Sequence, residues 1–230
     1  DFSKPYLHLR SVAVPDNGNH GPRRSIVVTI PHVTTDTDIN RTFLANMKAL
    51  WRQDPRLAQR VDDIDPDSRL GVVESKTGSP TASVTTADGR TIFLHSRYNP
   101  VKEAADFCRS LEKGEAACIL LCGLGLGYHV NALRETFGEE ALIVISEPDL
   151  LTIKTALECV DISAGIASGR VLFLTSLEKS TLHDRLTQFS VLLMLGTLFA
   201  APPASREHNA EFHAAARQAM LDFAAFAKMS

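Results

Sequence analysis

Apolar residues after position 38 recur with the spacing of an α-helix. Those that fall on one face of this helix are Ile39, Phe43, Met47, Leu50 and Trp51. Pro55 favours the start of a second, shorter helix that runs to about Asp62, because proline fits the first helical position. Residues 1–38 show no such period. They predict an extended arm with one strand-like run, SIVVTI (25–30).

Three short runs rich in β-branched and apolar residues follow, at 71–75, 81–86 and 90–95. Gly78-Ser79-Pro80 separates the first two runs, and Asp88-Gly89 separates the last two. An Asp-Gly pair between β-rich runs indicates a hairpin, because both residues tolerate a positive φ. The pattern therefore predicts an antiparallel β-meander.

A helix is predicted to start directly after the meander. Asn99 is suited to the N-cap, Pro100 to the first helical position, and Glu103 to the positive end of the helix dipole. The apolar stripe of this helix consists of Ala104, Phe107, Cys108 and Leu111.

From residue 114 onwards, short apolar runs alternate with helical stretches. The predicted strands are 117–122, 141–146, 170–175 and one near 191–195. The predicted helices are Tyr128–Phe137, Asp149–Val160, 178–189 and a long one from about Ser205. Strands that are apolar throughout are typical of a parallel sheet covered by helices on both faces.

The sequence thus predicts an α/β fold in three parts. Residues 1–38 form the arm, and residues 39–113 form a small α+β subdomain of helix, antiparallel β-meander and helix. Residues 114–230 form a Rossmann-like domain, with a mostly parallel sheet and helices on both faces. The pattern is still helical at Ser230, without a cap, so we expect this sequence to be a fragment of a longer chain.

Composition narrows the range of functions. The net charge of −3 gives no electrostatic case for binding nucleic acid or an anionic membrane. The longest apolar run, 191–201, has about half the length that a membrane span needs. The four cysteines lie in or beside apolar segments without a C-x-x-C pair, which favours reduced thiols in a cytoplasmic protein. The eight histidines are dispersed, and we predict no metal site.

The segment LLCGLGLGYHV (120–130) places Gly123, Gly125 and Gly127 on alternate positions after an apolar strand. Such a turn can present backbone N–H groups and a helix N-terminus to a nucleotide, or it can simply turn a strand tightly into a helix. The G-x-G-x-G spacing is closer to the loop of Rossmann-type methyltransferases than to G-x-G-x-x-G. Methyltransferases usually carry an acidic residue two positions before the first glycine, where this chain has Leu121.

Glu147 ends the second predicted strand of this domain, 20 residues after Gly127. A carboxylate at this position bonds ribose hydroxyls in Rossmann proteins, and in that role it would be exposed in the crevice facing the glycine turn. Alternatively, Glu147, Pro148 and Asp149 form an acidic helix entry. Together, the glycines and Glu147 favour a nucleotide-like ligand of unknown identity.

The segment HSRYNP (95–100) is rich in polar groups. A nucleophilic pair of His95 and Ser96 is disfavoured, because adjacent strand residues point to opposite faces. The side chains that we expect at the edge of a pocket are His95, Ser96, Tyr98, Asn99, Tyr128 and His129. Asn99 and its neighbours also fit a purely structural cap, and His129 suits either a phosphate contact or packing on the sheet. No residue is predicted to be catalytic.

Five segments, in this order, resemble the Maf proteins, the motility-associated factors that glycosylate bacterial flagellin. They are TFLANMKALWRQDPRLAQRV (42–61), ESKTGSPTASV (74–84), TIFLHSRYNPVKEA (91–104), LLCGLGLGYHV (120–130) and VISEPDL (144–150). The resemblance runs from about residue 40 to the end of the chain and is most specific in HSRYNPVKEA and GLGLGYHV. It implies an N-terminal domain that precedes a central, sugar-nucleotide-binding domain with a Gly-x-Gly-Pro-Ser-Leu-like motif. These 230 residues lack that motif.

The resemblance implies that the full protein transfers a nonulosonic acid from a sugar nucleotide to flagellin Ser/Thr, while this chain supports catalysis or recognises flagellin or its chaperone. One alternative is a methyltransferase-like domain that binds S-adenosylmethionine. Another is a degenerate Rossmann module that only binds protein.

Overall fold

The computed structural model describes residues 36–65, 70–86, 88–112 and 114–229. The predicted arm and its strand at 25–30 lie almost entirely outside these residues. Helix α1 (Asp36–Gln53) is followed by α2 (Pro55–Asp62), whose N-cap Asp54 accepts a hydrogen bond from the Leu57 N–H at 3.1 Å. Trp51, expected on the buried face of α1, is 39% exposed.

The predicted meander and the helix after it are present. Strands β1 (Gly71–Glu74), β2 (Pro80–Thr85) and β3 (Thr91–Phe93) form an antiparallel sheet in sequence order. Helix α3 (Pro100–Arg109) begins as the sequence predicts, because Asn99 Oδ1 accepts a hydrogen bond from the Lys102 N–H at 2.8 Å.

The rest of the chain alternates strands and helices. The strands are β4 (Cys118–Cys122), β5 (Leu142–Ser146), β6 (Val171–Leu174) and β7 (Thr197–Ala200). The helices are α4 (Tyr128–Phe137), α5 (Leu150–Cys159), α6 (Ser163–Ala167), α7 (Lys179–Leu186), α8 (Ser190–Leu195) and α9 (Ala210–Met229). Two 3₁₀ turns, Thr187–Phe189 and Pro203–Arg206, precede α8 and α9.

The strand predicted near 191–195 is wrong. Residues 190–195 form α8, and the strand β7 begins only at Thr197. Leucine and methionine predominate in this run and are good helix formers. Gly196, with a φ of +127°, separates α8 from β7. The predicted long helix also starts later than Ser205, at Ala210.

All four strands of the second sheet are parallel, in the order β6-β5-β4-β7. Strands β5 and β6 are added in chain order on one side of β4, and β7 pairs with β4 on its other side. The strand order therefore reverses between β4 and β7, the place where open α/β sheets form a crevice for ligands. The α/β class, the mostly parallel sheet and the separate antiparallel meander are all confirmed.

Alternate residues of the parallel strands face two apolar layers. One layer packs against α1 to α6 and the meander, and its residues from the parallel strands are Ile119, Leu121, Ile143, Ile145, Val171, Phe173 and Ala200. The other packs against α7, α8 and α9, and its strand residues are Cys118, Leu120, Cys122, Leu142, Val144, Leu172 and Leu174. Helices thus cover both faces of the sheet, and the meander shares its core with one face.

A buried amide fixes α1 against the region that joins α5 to α6. Asn46 is fully buried, and its Nδ2 donates to Leu157 O at 2.8 Å and to Val160 O at 2.9 Å. Its Oδ1 accepts a hydrogen bond from the Ile162 N–H at 2.9 Å. One side chain therefore satisfies three backbone groups that would otherwise be unpaired in the core.

Candidate functional site

The turn from β4 into α4 lies where the strand order reverses. Gly123, Gly125 and Gly127 have φ angles of +80°, +56° and +97°, a region that side-chain-bearing residues rarely adopt. Leu124 and Leu126, between them, are fully buried in the core. The three glycines thus allow the left-handed backbone of the turn, and the two leucines between them pack into the core.

His95 lies directly on this turn. Its Nε2 accepts a hydrogen bond from the Leu126 N–H at 2.8 Å, and a Cβ at position 125 would collide with the same nitrogen. Since Nε2 is an acceptor, the neutral ring carries its proton on Nδ1. Nδ1 lies 3.7 Å from Glu103 Oε2, too far for a hydrogen bond, and that oxygen accepts the Ser96 N–H at 2.7 Å. The absence of a side chain at Gly125 therefore makes room for the His95 ring and not for a ligand.

Two aromatic residues from the start of α4 hold the His95 ring. Tyr128 meets it edge-on, with 5.0 Å between centroids, and His129 stacks on it at 5.1 Å. The Tyr128 hydroxyl donates to Pro80 O at 2.8 Å, which links α4 to the meander. Burial, reinforced by the neighbouring His95, lowers the pKa of His129 to about 3, so His129 is neutral at physiological pH.

Glu147 occupies the other side of the turn. It is 1% exposed, so it lacks the exposure that the ribose-binding role would require. Its Oε2 accepts the Leu124 N–H, and its Oε1 accepts both the Asp149 N–H and Asn209 Nδ2, each at 3.2 Å. Burial raises the pKa of Glu147 to about 7, although these hydrogen bonds favour the ionised form.

The segment after β7 closes the crevice. A Cβ at Gly123 would lie 3.2 Å from Ser205 Cβ and 3.6 Å from His213 Nε2. His213 Nδ1 lies 2.9 Å from Ser146 Oγ at the end of β5, and burial lowers the pKa of His213 to about 4. The remaining cavity has a volume of about 20 Å³, which has room for about one water molecule.

The structure brings five of the predicted site residues to this cavity. They are Gly123, Gly125, Glu147, His95 and His129. Gly127 instead faces the link between α5 and α6, since a Cβ there would lie 3.2 Å from Ile162 Cγ2. Three hydroxyl- or imidazole-bearing residues of the cavity wall, Ser205, His208 and His213, were not expected from the sequence. They come from the distant segment after β7, and no local spacing relates them to the glycines.

The other candidates lie elsewhere. Ser96 Oγ accepts the backbone N–H groups of Tyr98 at 3.1 Å and Asn99 at 3.4 Å, so it stabilises the turn before α3. Asn99 caps that helix. Tyr98 is 64% exposed on the meander side and does not line the cavity.

The histidines around the glycine turn do not assemble into a metal site. Across the described ranges, 36–65, 70–86, 88–112 and 114–229, no group of three or more His, Cys, Asp or Glu side chains is arranged to hold a metal ion. Three buried ring nitrogens, His95 Nδ1, His129 Nε2 and His213 Nε2, have no hydrogen-bond partner. Among the helices of the described residues, none is long and apolar enough to cross a membrane.

This geometry limits the chemistry of the turn. The amides of Leu124 and Leu126 already donate to Glu147 and His95, and the space above Gly123 and Gly125 is filled by side chains. A nucleotide could bind here only by displacing groups that hold the turn together. The glycines therefore form a closed structural corner in this conformation.

The chain is similar to the solved structure of a Maf glycosyltransferase from Magnetospirillum magneticum AMB-1. The two share 17% sequence identity with a TM-score of 0.54, and the match covers 80% of this chain and 35% of that protein. The resemblance noticed in the sequence is thereby confirmed at the level of the fold, and this chain spans about a third of that protein's length. No family model and no curated protein matches the sequence.

Proposed function

We propose that this chain is the Rossmann-like domain of a Maf-type protein glycosyltransferase, and that it supports or recognises substrate rather than catalysing transfer. The full protein would attach a nonulosonic acid to Ser/Thr of flagellin. The fold shared with part of a Maf glycosyltransferase supports this assignment. The non-catalytic role depends on one observation, that Glu147 and His95 accept the Leu124 and Leu126 N–H groups of the glycine turn.

Glycosyl transfer needs a pocket for the sugar nucleotide and positioned acid–base groups. The crevice between β4 and β7 offers neither, because its titratable groups line a cavity of about 20 Å³. We therefore assign the sugar-nucleotide site to a part of the full protein outside these residues. A partner such as flagellin or its chaperone would meet an outer surface of this domain. A cytoplasmic location belongs to the same proposal, in keeping with four free cysteines.

The methyltransferase alternative receives no support from the site. The carboxylate that would bond the ribose of S-adenosylmethionine is Glu147, and three protein donors already use its oxygens. Leu121, at the position of the acidic residue of methyltransferases, is fully buried in the sheet.

Calorimetric titration with CMP, a CMP-linked nonulosonic acid and S-adenosylmethionine tests the closed site. We expect no saturable heat with any of them, and no transfer of sugar to purified flagellin by this chain alone. A pull-down of flagellin by the chain tests the recognition role separately. Transfer by the isolated chain would refute the non-catalytic assignment, whereas saturable binding of S-adenosylmethionine would favour the methyltransferase alternative.

A further inference from the structure

Two turns that take no part in the glycine corner meet beside the meander. The Lys76 N–H donates to Arg97 O at 2.9 Å, and the Thr77 N–H donates to Tyr98 O at 3.1 Å. Thr77 Oγ1 also donates to Tyr98 O at 3.1 Å. The turn between β1 and β2 is thus tied to the segment before α3. Side chains carried by the two turns project from fixed backbone positions.

These side chains border a groove of about 550 Å³ on the outward face of the meander. The register places Val73 opposite Thr81 and Phe93 opposite Ser83, so that Val73 and Phe93 share one face of the sheet. The opposite face carries Ala82, Val84 and Leu94 into the core. The groove therefore has an apolar floor that faces away from the core.

Two cations stand at the groove, each over an aromatic ring. Lys76 Nζ lies 4.1 Å from the centroid of the Tyr98 ring, and Arg97 Cζ lies 5.0 Å from that of Phe93. Such contacts hold a cation in place without neutralising its charge. Within the described residues, no ion pair joins Lys76 or Arg97 to a carboxylate. Glu74 also borders the groove, and its Oε1 lies beside the β1–β2 turn, 3.4 Å from where a Cβ at Gly78 would be.

The strand beside the groove has an open edge. In the described sheet, β1 pairs only with β2, and all four of its residues are exposed. Ala82 O accepts the Leu94 N–H, so the backbone of Ala82 faces β3 and its partner Val72 turns its backbone groups away from β2. The Val72 N–H donates to Leu70 O at 2.8 Å, so Val72 offers only its carbonyl to the open edge. Glu74, two residues along, has the same orientation. An extended chain can hydrogen-bond to such an edge.

We propose that this surface is a docking site for an extended acidic segment of a partner protein. The segment lies along β1, hydrogen-bonds to its open edge, places apolar side chains on Val73 and Phe93, and directs carboxylates to Lys76 and Arg97. Lys76 and Arg97, which no carboxylate of the described residues pairs, favour an acidic occupant over a neutral or basic one. The site rests on its own geometry and does not depend on the transferase assignment.

Fluorescence anisotropy with a labelled octapeptide of alternating Glu and Val tests the site on the whole chain. We expect it to bind at least about tenfold more tightly than the Gln-Val counterpart, and to weaken as NaCl is raised from about 50 to about 500 mM. The double variant Lys76→Glu/Arg97→Glu should lose this preference. Lys179→Glu, which reverses an exposed charge at the start of α7, is the matched control and should bind like the wild type.

A second measurement does not depend on the variants' stability. Binding of the acidic peptide to the wild type should shift the NMR amide signals of residues 71–76 and 93–98. Equal affinity for the Gln-Val peptide, shifts confined to other residues, or the absence of saturable binding would overturn the proposal. Dimers of the wild type that are abolished by Lys76→Glu would overturn it too, because they would identify a second copy of the chain as the occupant.

Discussion

His95 Nε2 accepts the Leu126 N–H at 2.8 Å and fills the space in which residue 125 would carry a side chain. The imidazole therefore accepts a backbone N–H of the turn, as a ligand phosphate does in a nucleotide-binding Rossmann loop. Glu147 does the same for the Leu124 N–H. The candidate site is thus a set of protein groups that satisfy one another.

Gly125→Ala should destabilise the protein by on the order of 1–3 kcal/mol, or more if His95 cannot move. Gly114→Ala is the matched control, since Gly114 has a similar φ of +48° but no atom within 4 Å of the added Cβ. The difference between the two variants in urea unfolding isolates the collision with His95. If both variants lost the same unfolding free energy, backbone strain alone would account for the effect of Gly125→Ala.

Glu147→Gln should remove a pH dependence of stability between pH 4.5 and about pH 7. Burial raises the pKa of Glu147 from an ordinary value of 4.5 to about 7, so the folded state binds this proton more tightly than the unfolded chain does. The resulting stabilisation, on the order of 3 kcal/mol, is complete below the unfolded pKa and is lost as the pH rises through the folded pKa. Urea unfolding at several pH values measures it. Parallel profiles for wild type and variant would contradict the raised pKa.

His213→Asn should weaken the loss of stability in acid. Burial lowers the pKa of His213 from 6.5 to about 4, so its contribution is present above pH 6.5 and is lost as the pH falls towards 4. The variant should therefore lose less stability than the wild type over that interval. His183→Asn removes an exposed histidine of α7 and serves as the control. Identical acid slopes for wild type and His213→Asn would refute the prediction.

Asn46→Ala should cost on the order of 3 kcal/mol, because two carbonyls and one N–H lose their partner inside the core. Gln59→Ala is the comparison, since Gln59 makes an exposed hydrogen bond with Asp63 at 2.7 Å. The loss of unfolding free energy in Gln59→Ala should stay within about 0.5 kcal/mol. Thermal unfolding followed by circular dichroism distinguishes the two. A small effect at Asn46 would mean that water replaces the lost bonds.

Local signals predicted much of the fold. The bounds of α2 and α4 agree with the sequence because Pro55 and Gly127 mark their starts. The strand β7 was misplaced because the run at 191–201 is apolar throughout, so its periodicity cannot separate helix from strand. Only pairing with β4 decides that Thr197–Ala200 is the strand.

The site was less predictable than the fold. Its glycines and Glu147 could be found because they follow consecutive parallel strands, whose ends share one edge of the sheet. The burial of Glu147 depends on Asn209 and on the segment after β7, which are about sixty residues away along the chain. No local pattern carries that information, so the sequence could not tell an open crevice from a closed one.

The closed corner has a consequence for the protein in the cell. Some nucleotide-binding loops become ordered only when the nucleotide binds, so the ordered fraction depends on the nucleotide concentration. Here Glu147 and His95 come with the chain and are in place as soon as it folds. We therefore expect the outer surfaces of the domain to stay the same whatever the nucleotide concentration in the cell.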